Sequence, residues 1–334
     1  MDATQDENYL KLARPPDYLA TVSSKPHTGD IADPNPRCLM ETLARKLLAA
    51  VGKWKLSTIR WWGRLIGTAV YLLAPKGRQQ TIDNLDRIYG DSLSRKEKVR
   101  IAKGSFVNIA TLVMEIGYLF RVEGSIKPYF HCEGFENMVE GFNKGRGLII
   151  LVPHMGNWEI PARITAEMFP VINAVTRRQR PAWLASIICD FRAFNKMNEI
   201  DNKNSLRSAL RALRRGEVVY MLIDRHIRRG TIVGNFLGHP AQTSAAPALL
   251  AMRTGCSVVV ACSWRHPSGK FAATVSKPVE TIVTGDRDRD LLTNTQRYLD
   301  ITSDYVRTHP EDWMWMHRCW RIKPPSGDGE ESSD

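Results

Sequence analysis

The chain has 334 residues, 43% apolar and 25% charged, which is enough for a sizeable core and excludes a disulfide-stapled mini-protein. With 47 Lys and Arg against 35 Asp and Glu the net charge is +12, and because residues 326–334 are acidic the remainder is more basic still. That balance points to a polyanionic partner: anionic lipid, an acidic carrier protein or nucleic acid.

Residues 1–38 carry Pro15, Pro16, Pro26, Pro34 and Pro36 with little apolar periodicity and read as a flexible polar lead. Asp2, Asp6, Glu7 and Asp17 stand where a secretory signal needs a basic start and an apolar run. No stretch of 18 uninterrupted apolar residues follows, so a standard spanning helix is not expected. The six cysteines lie scattered without a C-x-x-C pair and read as free thiols of a reducing compartment.

Residues 39–82 read as a basic amphipathic helix at a membrane interface. Between Thr42 and Ile82 there are 8 bases and no acid. Leu47, Val51, Trp54, Thr58, Trp61, Leu65, Thr68 and Leu72 draw one stripe, to which Trp62 and Tyr71 add amphipathic rings. A core helix with one solvated face has the same periodicity. Ser94-Arg95-Lys96-Glu97 is a capping box, and the helical period after it runs to about Arg121.

From residue 83 to 325 a single α/β unit is expected, with a mostly parallel or mixed central sheet flanked by helices. Gly147 to Val152 is a continuous Leu/Ile/Val run, the mark of a strand buried on both faces. Val171 to Val175, Val218 to Ile223, Ser257 to Ser263 and Phe271 to Val275 are further strands. Between them, Ser205 to Arg215 is a helix with Leu206, Leu210 and Leu213 on one side and Arg207, Arg211, Arg214 and Arg215 on the other. Residues 326–334 form an acidic tail.

In open α/β sheets ligands bind beyond the carboxyl ends of strands. The first strong strand ends in Pro153-His154-Met155-Gly156-Asn157-Trp158-Glu159. Five residues along one helix is roughly 500°, so His154 and Glu159 meet only if the histidine precedes a helix and the acid sits in its first turn. Asn157 is a suitable N-cap for that arrangement. The pattern then reads as a general base oriented by a carboxylate, with helix-start N–H groups nearby for a developing oxyanion. His131 and Glu136 have the same spacing without the strand, glycine and cap, and are taken as structural.

Gly147 to Glu159 resembles the central motif of the bacterial late acyltransferases of lipid A biosynthesis, the lauroyl and myristoyl transferases. Phe236-Leu-Gly-His-Pro-Ala-Gln-Thr243 followed by Ala251 to Val260, and His309-Pro-Glu-Asp-Trp-Met-Trp-Met-His-Arg318-Cys-Trp-Arg321, are similar to two later motifs of that family. Arg225, Ala245, Ala246 and Cys319 depart from its usual pattern, which bears on the acceptor more than on the reaction class.

The resemblance implies a glycerolipid acyltransferase-like fold at the cytoplasmic face of a bacterial inner membrane, with no metal and no cofactor. It implies that His154 takes the proton of an acceptor hydroxyl and Glu159 holds the imidazole. Acyl carrier protein or coenzyme A would deliver the acyl thioester. Gly156, Asn157, Arg192, Asp224, Arg177 and Arg225 are the candidate substrate-binding residues. The clusters Arg177, Arg178, Arg180 and Arg225, Arg228, Arg229 suit a phosphorylated glycolipid, because guanidinium forks bind phosphate oxygens in pairs. The expected acceptor is a lipid A precursor; a phosphatidylinositol mannoside or a lysophospholipid is the alternative. Nucleic-acid binding is disfavoured, since no stacking module or helix-turn-helix signal is present. Trp313, Trp315 and Trp320 are read as core rather than tunnel wall, and His309 and His317 lack zinc-site spacing.

Overall fold

The structure, a computed structural model, describes residues 39–122, 124–176, 179–201, 205–225 and 230–320. The polar lead and the acidic tail lie outside the described residues.

The segment 39–82 folds as three helices rather than one: α1 (Leu39–Val51), α2 (Leu56–Leu73) and α3 (Pro75–Tyr89). The first break is the turn at Gly52, Lys53 and Trp54, which bond back to Leu48, Ala50 and Val51. The second is Pro75, which cannot donate to a continuing helix and instead opens α3. Most of the stripe read from the sequence faces outward. Trp61 is 54% exposed and Leu72 61%, while the buried face of α2 is Ile59, Gly63, Gly67 and Tyr71.

That face rests on α4 (Arg95–Arg121), which starts with the expected capping box. Glycine is required at the seam. A Cβ at Gly63 would lie 2.3 Å from Thr111 Oγ1, one at Gly67 2.4 Å from Val107 Cα, and one at Gly52 2.4 Å from the Gly117 carbonyl. Missing side chains thus let α1 and α2 approach α4 backbone to backbone.

After α4 come β1 (Phe130–Glu133), α5 (Phe135–Asn143), β2 (Leu148–Val152), α6 (Glu159–Met168), β3 (Ile172–Thr176), α7 (Ala182–Phe194), β4 (Met197–Asp201), α8 (Ser205–Arg214) and β5 (Val218–Leu222). A hairpin of β6 (Thr231–Phe236) and β7 (His239–Ser244) stands apart from the main sheet, and α9 (Ala246–Thr254), β8 (Ser257–Arg265), β9 (Phe271–Val275) and α10 (Arg287–Thr308) complete the chain. The main sheet has the order β1-β9-β8-β2-β5-β3-β4 and is parallel except between β8 and β9.

Every residue of β2 is buried because helices cover both faces of the sheet. Ile149 and Leu151 pack with Ile82, Leu85, Phe106, Leu213 and Trp313. Leu148, Ile150 and Val152 pack with Met138, Ala162 and Phe169 on the other side. Among the described residues no helix is long and apolar enough to cross a membrane.

Candidate active site

β2 and β5 are adjacent and parallel, with Val152 opposite Leu222. Two residues beyond that rung stand His154 on one strand and Asp224 on the other, so the register sets them side by side at the carboxyl edge. His154 Nδ1 lies 2.7 Å from Asp224 Oδ1, and the His154 backbone N–H donates to Oδ2 at 2.7 Å. The Trp313 indole donates to the same Oδ2 at 2.7 Å. Burial opposes a charge on Asp224, but the charge and hydrogen bond of His154, with a smaller contribution from His317, bring its carboxyl down to about 2. An ionised acceptor at Nδ1 places the proton there, which leaves Nε2 as the basic nitrogen.

The expectation that Glu159 holds the imidazole is corrected here. Glu159 does occupy the first turn of α6, but its carboxylate pairs with Arg192 at 2.8 Å, and the Trp158 ring stands against His154 at 5.0 Å between centroids. Arg192 also binds Glu199 at 2.7 Å; burial lowers its pKa, but the two carboxylates, Glu159 first, raise it overall. The guanidinium is therefore committed to protein carboxylates.

Asn157 is not the N-cap either. Trp158 occupies that position, while Asn157 Nδ2 donates to Glu115 at 3.0 Å. Gly156 has φ +59°, and a Cβ there would fall 2.1 Å from the Ser263 carbonyl. Its N–H donates to the Asp312 carbonyl at 2.9 Å and its carbonyl accepts from Asn108 at 3.2 Å, so it offers no free N–H to an oxyanion. Arg225 is exposed next to Asp224, and Arg180 is exposed as well. Arg177, with Arg178, Arg228 and Arg229, lies outside the described residues.

The residues that sequence reasoning passed over sit on α4, which the capping box marked only as scaffold. Its inner face carries Ser105, Asn108, Thr111 and Glu115, all buried. Ser105 Oγ donates to the Trp313 carbonyl at 2.6 Å, and Asn108 holds the Gly156 and Asp312 carbonyls. Glu115 binds Arg60 of α2 at 3.0 Å and Arg265 of β8 at 2.7 Å as well as Asn157. Burial would raise its pKa, yet Arg265 above all, then Arg60 and Asn157, draw it below the ordinary value. Arg265 also donates to the Asn108 side chain and stands 3.9 Å from Asp312. The available signal was the spacing of small polar residues along one face of a long helix.

Trp313, Trp315 and Trp320 are buried and pack on one another and on Phe236, in keeping with a core role. His154, Asp224 and His317 bring ligand-type atoms within 4.8 Å of one another. Both Asp224 oxygens already accept N–H donors and one meets His154 Nδ1 directly, so the arrangement is a hydrogen-bonded pair rather than a metal cradle.

A buried His–Asp pair at a strand edge supports proton abstraction in many reaction classes. The comparison with known proteins narrows it: residues 36–322 match the model of the bacterial lipid A biosynthesis acyltransferases. The chain belongs to that family. Within and around the lipid A acyltransferases, it is 22% identical over 191 residues to a phosphatidylinositol mannoside acyltransferase of Mycobacterium tuberculosis, covering 56% of this chain and 58% of that protein. A phosphatidylinositol mannoside acyltransferase of Mycolicibacterium smegmatis is 21% identical over 55% of this chain and 60% of its own length. The lipid A biosynthesis palmitoleoyltransferase of Escherichia coli (strain K12) is 19% identical over 69% of this chain and 74% of its own. The match thus spans less than two thirds of the mycobacterial relatives. Each of these relatives is an acyltransferase by name.

Proposed function

We propose that the chain transfers a fatty acyl group from a thioester to a hydroxyl of a phosphorylated glycolipid at a membrane surface. The observation that carries this is the Asp224-oriented His154 at the carboxyl edge of the sheet, in a chain of this family. The acceptor hydroxyl gives its proton to His154 Nε2 as its oxygen forms a bond to the thioester carbon. The C–S bond then breaks, and the departing thiolate takes the proton back from the imidazolium. Asp224 keeps the tautomer and stabilises the transient cation without being protonated itself.

A lipid A precursor is the first acceptor in this reading, following the family. The mycobacterial relatives favour phosphatidylinositol mannoside as the second. Both carry phosphate, which suits the exposed Arg225 next to Asp224.

Membrane contact belongs to the same proposal. Trp61, Trp62, Leu65, Val70 and Leu73 are exposed on α2, and Leu39, Met40, Leu43 and Leu47 on α1, beside the exposed Lys46, Lys53, Lys55 and Arg64. Rings at headgroup depth with cations on lipid phosphate give interfacial binding. The test is an assay of the full chain with a phosphorylated disaccharide lipid, a phosphatidylinositol mannoside and a panel of acyl thioesters, read by mass spectrometry. One added acyl chain on either lipid, lost in His154→Ala, supports the proposal. Products unchanged in His154→Ala end it.

A further inference from the structure

Next to the His–Asp pair is a second imidazole with no role in the reaction as described so far. The His317 ring stands edge to face against His154 with centroids 4.6 Å apart, and it also faces Trp313. Its Nε2 is buried with no hydrogen-bond partner in the described structure. Most buried polar nitrogens are paired, so one left open beside His154 calls for a partner.

The backbone holds this residue in place. Its N–H donates to the Met314 carbonyl at 3.2 Å, and its carbonyl accepts from Asn84 at 2.7 Å. Other donors around His154 are committed: the N–H groups of His154, Met155 and Gly156 go to Asp224, Pro153 and Asp312.

We propose that His317 is the second contact of the acceptor hydroxyl, donating a hydrogen bond to that oxygen while His154 removes its proton. A ring nitrogen of each histidine lies within 4.8 Å of the other. Two hydrogen bonds of about 2.8 Å that meet at a tetrahedral oxygen span about 4.6 Å between their nitrogens, so an oxygen seated at the common rim of the two touching rings reaches both. The hydroxyl then has its proton directed at His154, one lone pair held by His317 and the other free to attack the thioester carbon. Its alignment is set from two sides, which is what a near-attack geometry requires.

The charge state suits the role. Burial first, then the His154 charge, against an opposing pull from Asp224 and with Arg225 adding to the fall, brings the His317 pKa down to about 3. The ring is neutral at working pH, keeps one N–H to donate and does not compete with His154 for the proton. This inference rests on the acyl-transfer reading above and adds to it a residue that selects a hydroxyl as nucleophile.

His317→Gln keeps an N–H donor, and His317→Met has similar bulk and none. Both are compared with wild type and His154→Ala in the transfer assay, with binding of a non-cleavable acyl thioether and thermal melting measured alongside. The expected result is a kcat about 100-fold lower in His317→Met and recovery to within about fivefold of wild type in His317→Gln. Thioether binding should stay within about twofold in both. Equal kcat in the two variants overturns the proposal, as does loss of kcat in step with weaker thioether binding, which marks a packing role. If wild type itself transfers no acyl group to a hydroxyl, the reading beneath it fails as well; an active wild type with His154→Ala inactive and His317→Met unaffected removes this inference alone.

Discussion

Asp224 holds His154 twice, through the imidazole Nδ1 at 2.7 Å and through the backbone N–H at 2.7 Å. A single carboxylate therefore sets both the ring and the loop that carries it. Asp224→Asn keeps an oxygen for the backbone N–H and the Trp313 indole but turns an amide N–H toward Nδ1, which favours the wrong tautomer. The fold should persist while kcat falls by about 10³-fold or more. Steady-state kinetics beside circular dichroism check this, and a folded variant within tenfold of wild type contradicts it.

Glu159 carries a different load. Its removal leaves the half-buried Arg192 with Glu199 alone, so Glu159→Ala should cost about 3 kcal/mol of stability. In a double-mutant cycle with Arg192→Ala the two losses should fall well short of adding. Denaturant melts give the coupling. In folded Glu159→Gln, kcat should drop far less than in Asp224→Asn, and an equal drop with melting unchanged would return Glu159 to the imidazole.

Glu115 is fully buried between two arginines and Asn157. Neutralising it in Glu115→Gln strands the charge of Arg60 and Arg265, for an expected loss of about 3 to 5 kcal/mol. Unchanged unfolding midpoints would show that water reaches these guanidiniums. Leucine at the same site should do no better, since it meets neither cation.

Asp312 gives a pH signature. Burial, partly offset by Arg265 and reinforced by Glu115, raises its carboxyl to about 6 from 3.8. The folded chain thus holds that proton more tightly than the unfolded chain. Stability from this group is complete below about pH 4 and is lost as the pH rises through about 6. Relative to Asp312→Asn, wild type should lose on the order of 2 to 3 kcal/mol between pH 4 and 7. Urea melts across that range measure it, and a pH-independent difference refutes the assignment.

Much of this was legible where one residue type answers one physical demand. The run Leu148 to Val152 is apolar on both faces because both faces are covered, and Ser94 with Glu97 caps α4 as their spacing says. The edge strand β4, Met-Asn-Glu-Ile-Asp, hides from such reading because its exposed positions are polar. The buried face of α2 was hidden for a related reason: its positions include Gly63 and Gly67, which carry no hydrophobic signal, so the outward tryptophans dominated the periodicity. At the site, chain proximity favoured Glu159 over Asp224. Only the in-register pairing of β2 with β5 brings residues 70 apart into contact, and no local spacing encodes it.

The glycine seam under α2 ties greasy exterior to reacting centre. Arg60 follows Ile59 on that helix and precedes the outward Trp61, and its guanidinium reaches Glu115, which in turn grips Asn157 three positions after His154. A drift of α2 across its support by even one side-chain width would pull on the turn that aims the base. The seating of α2 on α4 is therefore constrained by the same few atoms that hold the His154 turn, and the two cannot be tuned independently.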